Sequence, residues 1–469
     1  MGTVQQQIKS TRERLAGLTL EQLFAQLERY VPLDDGLVSR RVRLWPLRRV
    51  FWLFLLQTLT AGMACREVLL LARANSDPEQ NTFSLVSGAY CRARAHLGEQ
   101  PLVRTMREGG ARGAAQVPLP KCWHGRRVKV VDGSSAQMPD TPENQKAYPQ
   151  PSRQKKGCGQ PVMRLVALFD LASGVLIDGA LGAMKPGERS LWSTLWDTAL
   201  VAGDIVLGDR GFCSLCEFWV LLARGVDSVA RLHQRRSKGT RRKKKLGKGD
   251  ELVWWIRSGS CPPWLAKELW AQAPKELLVR HITFQLTQPG FRTKEVTLAT
   301  TLTDHKAWPA SVLADLYRQR WRAELFLRDL KTTMGMELLR CKSPAMARKE
   351  LTMHLIGYNL VRALMREAAD KNEQIDLMRI SFKGALCALR QFAVPLAWCA
   401  KRRRKLLWQL LLLSITQLLV PKRPGRQEPR ALKRRPKNYP RLTQPRDQYQ
   451  EIRHRNKYSA KAKENAHAA

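Results

Sequence analysis

Acidic residues are scarce in this chain of 469 residues, which has 40 Asp and Glu against 81 Lys and Arg and a net charge of +41. A charge of that size says little about the fold, but its long-range field selects polyanionic partners. An enzyme that acts on small metabolites has no use for such a field. The composition therefore points to a polyanion as the partner.

Long apolar runs are also missing, and their absence argues against a membrane protein. The longest runs are 50–56 and 406–420, and both fall short of the ~20 apolar residues that a membrane-spanning helix needs. The first residues of the chain carry no apolar stretch of the signal-peptide kind. We therefore expect a cytoplasmic protein that associates with no membrane.

The cysteines form no pattern that would serve as a disulfide framework or a zinc site. Only Cys213 and Cys216 make a C-x-x-C pair, and no second pair is present to complete a four-ligand site. Scattered thiols are typical of a protein in a reducing compartment. We expect them to be free.

The pattern of apolar and charged residues changes several times along the chain. Apolar residues recur at helical spacing in the first part, in 45–59, 66–74 and 82–97. The last of these stretches is basic, which fits either a helix in a DNA major groove or a plain helical bundle. The regions that we predict are 1–115, a helical DNA-binding domain; 116–210, the first part of an α/β core; 211–295, a β-rich insertion; 296–370, the second part of the core; 371–420, a helical region; and 421–469, a basic tail without fixed structure.

Strand patterns dominate the region after residue 116. Short β-branched or apolar runs at 128–132, 162–170, 174–182 and 204–208 predict strands, with a helix at 191–201 before the last of them. That succession indicates a mixed α/β sheet. A polybasic segment at 235–248, predicted as a loop, then precedes four tryptophans in the insertion.

Two aspartates stand out because each follows an apolar strand pattern. Asp132 ends the first run and precedes Gly133, while Asp209 follows the run at 204–208. Two carboxylates held at neighbouring strand ends would repel each other unless a divalent cation lay between them. The simpler alternative for either residue alone is a turn former.

A third carboxylate lies on a long helix predicted over 310–334. At about 100° per residue, Glu324 falls in a narrow stripe with three basic residues and a tyrosine. A solvated face with ordinary i,i+4 pairing explains any one pair, but it does not explain one acid framed by so many phosphate-binding groups. The stripe consists of Tyr317, Arg320, Glu324, Arg328 and Lys331.

These residues resemble those of the DDE transposases of bacterial insertion sequences, in the group with a β-rich insertion in the catalytic core. Tyr317, Arg320, Glu324 and Lys331 match that group's Y-(2)-R-(3)-E-(6)-K pattern. The segments 131–134 (VDGS) and 208–212 (GDRGF) resemble its two Asp motifs. The likeness covers about 85–420. It implies a ribonuclease-H-like mixed sheet with flanking helices, with helical N- and C-terminal regions around it.

The resemblance also implies the chemistry of the site. Asp132, Asp209 and Glu324 would be the catalytic residues and would hold two Mg²⁺ (or Mn²⁺) ions, with no nucleotide cofactor. The relatives also pass through a DNA hairpin, which requires an aromatic side chain to stack on an extruded base. The residues expected to contact DNA are Tyr317, Arg320, Arg328, Lys331 and Arg210, and those expected to stack on the base are Trp254 or Trp255.

The function implied is that of a cut-and-paste transposase. It would cleave DNA at the terminal inverted repeats of its own element and join the 3′-hydroxyl ends to target DNA. A homodimer is expected to hold the two ends, with its interface in 371–420, and the enzyme would lie with the bacterial nucleoid. Two alternatives are a non-catalytic DNA-binding regulator derived from a transposase and a nuclease without strand transfer.

Overall fold

We describe a computed structural model of the chain. The structure describes residues 20–37, 45–76, 84–155, 157–233, 240–257, 259–285, 295–372 and 375–421, together with 445 and 448. Most of the predicted basic tail and the first 19 residues lie outside these ranges. Among the ranges just given, no helix is both long enough and apolar enough to cross a membrane.

The N-terminal region is a bundle of helices whose apolar faces pack together. The helices are α1 (Leu20–Leu27), α2 (Leu47–Leu59), α3 (Cys65–Ala74), α4 (Gly88–Ala95) and α5 (Glu99–Ala115). Within the described part of the basic stretch at 82–97, from residue 84 on, the helix covers Gly88–Ala95. Two of its polar residues, Tyr90 and Arg94, are buried, and Nη1 of Arg94 donates to the side chain of Gln57 at 2.8 Å. These two side chains belong to the bundle and do not face outward.

A nine-stranded mixed sheet forms the centre of the molecule, in the order β3-β2-β1-β4-β5-β9-β8-β7-β6. Strands β1, β4 and β5 are parallel, and the other pairings are antiparallel. The expected ribonuclease-H-like α/β sheet is confirmed. The strands are β1 (Val128–Gln137), β2 (Val162–Asp170), β3 (Leu176–Gly182), β4 (Ile205–Gly208), β5 (Asp227–Arg231), β6 (Thr240–Gly247), β7 (Asp250–Ile256), β8 (Glu276–Gln285) and β9 (Glu295–Thr300).

Helices cover both faces of this sheet. The short helices α6 (Pro142–Ala147), α7 (Glu188–Ser193), α8 (Trp196–Ala199) and α9 (Leu215–Ala223) lie between the first strands in the chain. Alternation along the strands divides their apolar residues between two cores. Val131 and Val206 pack with α7 to α9, whereas Val130 and Leu207 pack against the helix that follows β9.

Strand β1 is longer than the sequence pattern indicates. We expected it to end at Asp132, but it runs to Gln137, paired with β2 along its whole length, so Asp132 lies in its middle. The residues after Asp132 are mostly polar, so the apolar pattern of the sequence does not reveal this continuation. Pairing with β2 keeps them extended. The helix expected over 191–201 is likewise split, into α7 and α8.

The β-rich insertion extends the core sheet instead of forming a separate layer. Strands β6 to β8 and helix α10 (Lys267–Gln272) lie between β5 and β9 in the chain, and β8 pairs with β9 at its inner edge. The first part of 211–295 is helix α9 and strand β5, and β5 pairs in parallel with β4. The polybasic segment expected as a loop includes edge strand β6, on which Lys244 and Lys245 are exposed.

The single helix expected over 310–334 is in fact broken twice. Helix α11 (Ala310–Arg318) is followed by a tight turn, helix α12 (Trp321–Arg328) and a π turn at Asp329–Thr333. At the first break the amide of Arg320 donates to the carbonyl of Tyr317 and that of Ala323 to the carbonyl of Arg320, both i→i−3 bonds. No proline or glycine marks either break, so periodicity alone could not reveal them.

The last helices close the bundle against the sheet. These are α13 (Pro344–Asp370), α14 (Phe382–Trp398) and α15 (Lys401–Gln417). Buried residues of all three share one core with α1 to α5 and with one face of β2. Helix α14 follows a short 3₁₀ turn at Leu377–Arg379.

Candidate active site

Asp132 lies on strand β1, and Asp209 directly follows the neighbouring parallel strand β4. The β1–β4 ladder pairs Val130 with Leu207, and two further residues along each strand bring Asp132 opposite Asp209. Both side chains share the sheet face of Val130 and Leu207, since alternate residues point to the same side. Strand β4 ends at Gly208 while β1 continues, so a cleft opens beside Asp132.

Asp132 is half-buried and its carboxylate has few partners. Its Oδ1 atom accepts a hydrogen bond from the amide of Gly133 at 2.8 Å. Burial raises the pKa of Asp132 to about 6. The hydrogen bond from the Gly133 amide and the charge of Arg320 lower this pKa, whereas the negative charges of Asp209 and Glu324 raise it further. The three predicted carboxylates therefore share one electrostatic environment.

Asp209 is fixed by the turn that follows it. It caps the short 3₁₀ turn Arg210–Phe212, and its Oδ1 atom accepts a hydrogen bond from the amide of Gly211 at 2.6 Å. A Cβ atom on Gly211 would lie 2.8 Å from that same oxygen, so a side chain there would displace the carboxylate. The glycine of the GDRGF segment thus leaves room for the bond.

Glu324 is connected to Asp132 through Arg320. The guanidinium of Arg320 donates from Nη2 to Oε1 of Glu324 at 2.9 Å, and its Nη1 atom lies 4.0 Å from Oδ2 of Asp132. The turn between α11 and α12 places Arg320 at this point, one turn before Glu324. Arg320 therefore supplies a positive charge between two of the three carboxylates.

Tyr317 closes the site on the side of α11. The guanidinium of Arg320 lies 5.9 Å from the centre of its ring. Burial raises the pKa of Tyr317 to about 12, the charge of Asp209 adds to the rise, and Arg320 and Arg231 oppose it. Arg231 was not foreseen from the sequence. The β4–β5 register pairs Gly208 with Ala230, so Arg231 comes beside Asp209.

The remaining basic residues of the expected stripe do not contact these carboxylates in the structure. Arg328 is exposed, and its nearest carboxylate is that of Asp329 at 4.0 Å. Lys331 is half-buried on the π turn, which changes the helical phase on which its place in the stripe depended. Arg210 is half-buried in the turn after Asp209.

The two tryptophans expected to stack on a base differ in exposure. Trp255 is fully buried, packs on Phe218, and donates its Nε1 hydrogen to Nε2 of His281 at 2.9 Å. It is a core residue, and its assignment to base stacking was wrong. Trp254 is partly exposed on the other side of β7. Trp321, which the sequence reasoning did not single out, is 46% exposed and directly follows Arg320.

The donors in this site are of the type that hard divalent cations prefer. Across the described part of the chain, no group of three His, Cys, Asp or Glu side chains is arranged as a ready metal site. Three carboxylates nevertheless fit the oxygen preference of Mg²⁺ and Mn²⁺. The raised pKa of Asp132 also reflects negative charge that a cation would neutralise.

Comparison with known proteins identifies the family. A family profile described as the transposase DDE domain matches residues 123–360, which contain all three carboxylates. The chain belongs to the DDE transposase family. It is therefore an enzyme that cleaves DNA and transfers strands, and enzymes of this family use divalent metal ions.

Two relatives from Escherichia coli agree with this assignment. The chain is 28% identical over 412 residues to transposase InsG of insertion sequence element IS4 from Escherichia coli, covering 87% of this chain and 89% of that protein. It is 25% identical over 288 residues to the putative transposase InsL of element IS186A, also from Escherichia coli, covering 55% and 71%. A piggyBac transposase synaptic complex with hairpin DNA gives a TM-score of 0.40 at 11% identity, covering 87% and 86%.

Proposed function

We propose that this transposase cuts its own insertion sequence out at the terminal inverted repeats and joins the released 3′-hydroxyl ends to target DNA. The observation that carries the proposal is the grouping of three carboxylates: the strand register brings Asp209 beside Asp132, and Arg320 lies between Asp132 and Glu324. Cleavage and joining are both displacements at phosphorus, and one set of cations and cationic side chains serves both.

The three carboxylates are proposed to hold two Mg²⁺ or Mn²⁺ ions. When bound, such ions activate the attacking water or 3′-hydroxyl and stabilise the leaving oxygen. Asp132 stands on strand β1 and Asp209 directly follows strand β4 of the same sheet, whereas Glu324 stands on α12. The half-buried cleft favours this role, because electrostatic interactions strengthen where water is reduced.

Basic side chains around the carboxylates are proposed to hold the DNA backbone. Arg320 and Arg231 lie nearest to the acids and would contact the phosphates that flank the cleaved bond. Tyr317 would donate its hydroxyl hydrogen there, since its raised pKa keeps it protonated. Arg210 and Lys331, both half-buried, would contact phosphates farther along, and so would the exposed Arg328.

A DNA hairpin at the cleaved end remains part of the proposal. It requires an aromatic side chain that a base can reach, and Trp255 is too deeply buried for this. Trp254 stays a candidate because it is partly exposed. Trp321 is added as a second candidate, because it is exposed beside Arg320 and therefore beside the carboxylates.

The transposase is proposed to act as a homodimer that holds two element ends. The apolar exposed residues of α15 in the 371–420 region, Leu406, Leu410 and Leu413, are proposed as part of its interface. With a net charge of +41, the protein would remain with the nucleoid in the cytoplasm.

Cleavage by a Glu324→Gln variant tests the proposal. The substitution keeps the size of the side chain and its acceptor for Arg320, but it removes the negative charge that a metal ion needs. We expect loss of at least about a hundredfold in end cleavage, with binding to a labelled terminal-repeat duplex unchanged. Glu108→Gln, an exposed helix position paired with Arg112, is the matched control and should cleave normally.

Two outcomes would contradict the proposal. Normal cleavage by Glu324→Gln would remove this carboxylate from the metal site. Cleavage by the wild type without joining of pre-cut ends that carry a free 3′-hydroxyl would favour the nuclease alternative over transposition.

A further inference from the structure

Glu217 is a buried carboxyl group that the proposed reaction does not use. It lies on α9, on the sheet face opposite the cleft, and is only 2% exposed. Its Oε1 atom accepts a hydrogen bond from Nε1 of the fully buried Trp192 at 2.8 Å. Its other oxygen has no hydrogen-bond partner among the residues that the structure describes. Burying a carboxyl group with one unpaired oxygen costs free energy of folding, so such a group needs a structural explanation.

Arg189, on the same short helix as Trp192, contacts the second aspartate motif. Its charge is among those that act on Glu217, and so is the charge of Asp209. The Nε atom of Arg189 donates to the carbonyl oxygen of Gly211 at 2.7 Å. The amide of the same glycine donates to Oδ1 of Asp209 at 2.6 Å. The backbone of Gly211 is thus held from behind by Arg189 while it holds Asp209 in front.

The short helix α7 explains why Arg189 can take this position. Trp192 and Arg189 lie one turn apart on it, so the same helix provides the donor to Glu217 and the donor to Gly211. Trp192 also packs edge to face against Phe212, the last residue of the turn after Asp209. The turn is therefore fixed by one hydrogen bond and one aromatic contact from α7.

We propose that Arg189 is a positioning residue for the metal site, and that Glu217 holds the helix that carries Arg189 by accepting the hydrogen bond of Trp192. By holding the carbonyl of Gly211, Arg189 keeps the amide of that residue directed at Oδ1 of Asp209, and the other carboxylate oxygen is left for the cations. Partners of this kind typically change metal affinity by about 10–100-fold when removed. The inference rests on the proposed function, because it takes Asp209 as a metal ligand.

The test measures Mn²⁺ affinity directly, by the loss of the free-ion electron paramagnetic resonance signal on binding to the full-length protein in complex with a terminal-repeat duplex. We expect Arg189→Gln to weaken Mn²⁺ binding about tenfold or more, with DNA affinity and thermal midpoint unchanged. Arg189→Lys should recover part of the affinity, since its ammonium group can donate to the same carbonyl. Glu217→Gln keeps the acceptor for Trp192 and should bind Mn²⁺ as the wild type does, whereas Glu217→Met removes that acceptor and should give an intermediate value.

The controls separate this inference from the function on which it rests. Arg112→Gln, an exposed arginine paired with Glu108, should bind Mn²⁺ as the wild type does. Unchanged Mn²⁺ affinity in Arg189→Gln would overturn the positioning role. The role would also fail if Arg189→Gln lowered the thermal midpoint, DNA affinity and Mn²⁺ affinity together and Arg189→Lys restored none of them. If Asp209→Asn abolishes Mn²⁺ binding while Arg189→Gln binds Mn²⁺ normally, only the positioning role fails. If Asp209→Asn binds Mn²⁺ normally, the proposed site itself fails.

Discussion

Two carboxyl groups on opposite faces of the same sheet show how burial sets the charge of single residues. Asp132 faces the cleft and Glu217 faces the core under α7, and burial is the largest cause of the raised pKa in both. For Asp132, two neighbouring carboxylates add to the rise, and Arg320 limits it. For Glu217 the pKa reaches about 8, so this side chain is largely protonated at neutral pH.

The pKa of Glu217 leads to a prediction about stability. The ordinary pKa of the unfolded side chain is 4.5, whereas the folded value is about 8. Between these values the folded state holds a proton that the unfolded state has lost, so the stability that the proton contributes is lost as the pH rises from about 5 to 8. Above that range the effect is constant.

Thermal midpoints measured from pH 5 to pH 9 check this prediction. The wild type should lose stability up to about pH 8, and Glu217→Gln should lack that part of the decrease, because glutamine does not titrate. Glu108→Gln, at an exposed position, should follow the wild type. Parallel curves for the wild type and Glu217→Gln would show that Glu217 titrates normally.

The sequence pointed to some of the site residues and not to others, for a physical reason. Asp132, Asp209 and Glu324 could be predicted, because each stands beside a local apolar pattern or within a spaced motif. Arg231 and Arg189 reach the site only through strand register and through a carbonyl contact. Such contacts depend on the tertiary fold and leave no local signal, although Arg231 does end a strand parallel to β4.

At the scale of elements, the broken helix carries Glu324, the proposed catalytic glutamate, and needs support at its far end. The π turn at Asp329–Thr333 ends it, and π turns often occur at functional sites. Asp329 is buried there with Oδ2 at 3.8 Å from Nη2 of Arg362 on α13. Arg362 also donates from Nε to the hydroxyl of Tyr358, which in turn donates to the carbonyl of Gly174 in the β2–β3 turn.

Removal of Arg362 should therefore destabilise the protein strongly. Asp329, whose pKa burial already raises to about 6, would lose its main buried cationic partner. We expect Arg362→Met to cost about 3 kcal/mol in the free energy of unfolding. Adding Asp329→Asn should recover part of that loss, because no buried charge is then left alone.

Urea unfolding of the single and double variants measures this cost. The control is Arg366→Met on the same helix, whose partner Asp370 is 53% exposed, and it should cost less than about 1 kcal/mol. Equal losses at the two arginines would mean that the Asp329–Arg362 pair has no special role in holding the π turn.

Element boundaries were predictable where pattern and burial coincide. Strand β2 occupies 162–170 as expected, because apolar residues fill it and turn residues follow. The helix over 310–334 was wrong in its continuity, since the residues at its first break are polar or exposed and packing does not constrain their phase. Strand β1 was too short because its polar second half is fixed by pairing with β2.

At the scale of the whole molecule, α15, near the C-terminal end, packs in the same core as the N-terminal helix α1 and has an inner and an outer face. Its inner residues Trp408, Leu411 and Ile415 are buried in the core shared with α1, and Tyr30 stacks on Trp408 at 6.0 Å between ring centres. Its outer leucines are 47–60% exposed. Deleting the helix would damage the core, so the outer face has to be tested by substitution.

The outer face of α15 gives the prediction about assembly. Leu406, Leu410 and Leu413 lie at i, i+4 and i+7, so they form one apolar stripe on the helix. If this stripe packs against a second copy, Leu410→Glu with Leu413→Glu would bury two unpaired charges at the interface. We expect the dimer to weaken by at least about tenfold, while the fold and the binding of a single element end persist.

Sedimentation of the DNA-bound protein decides this prediction. The wild type should sediment as two protein chains with two terminal-repeat duplexes, and the double variant as one chain with one duplex. End cleavage by the double variant should also fall, because the two ends are no longer held together. Leu70→Glu, at a leucine of α3 that is 47% exposed, adds a charge on a different helix, outside the stripe, and should leave the complex intact. A double variant that still forms the paired complex would place the dimer interface on another surface of the molecule.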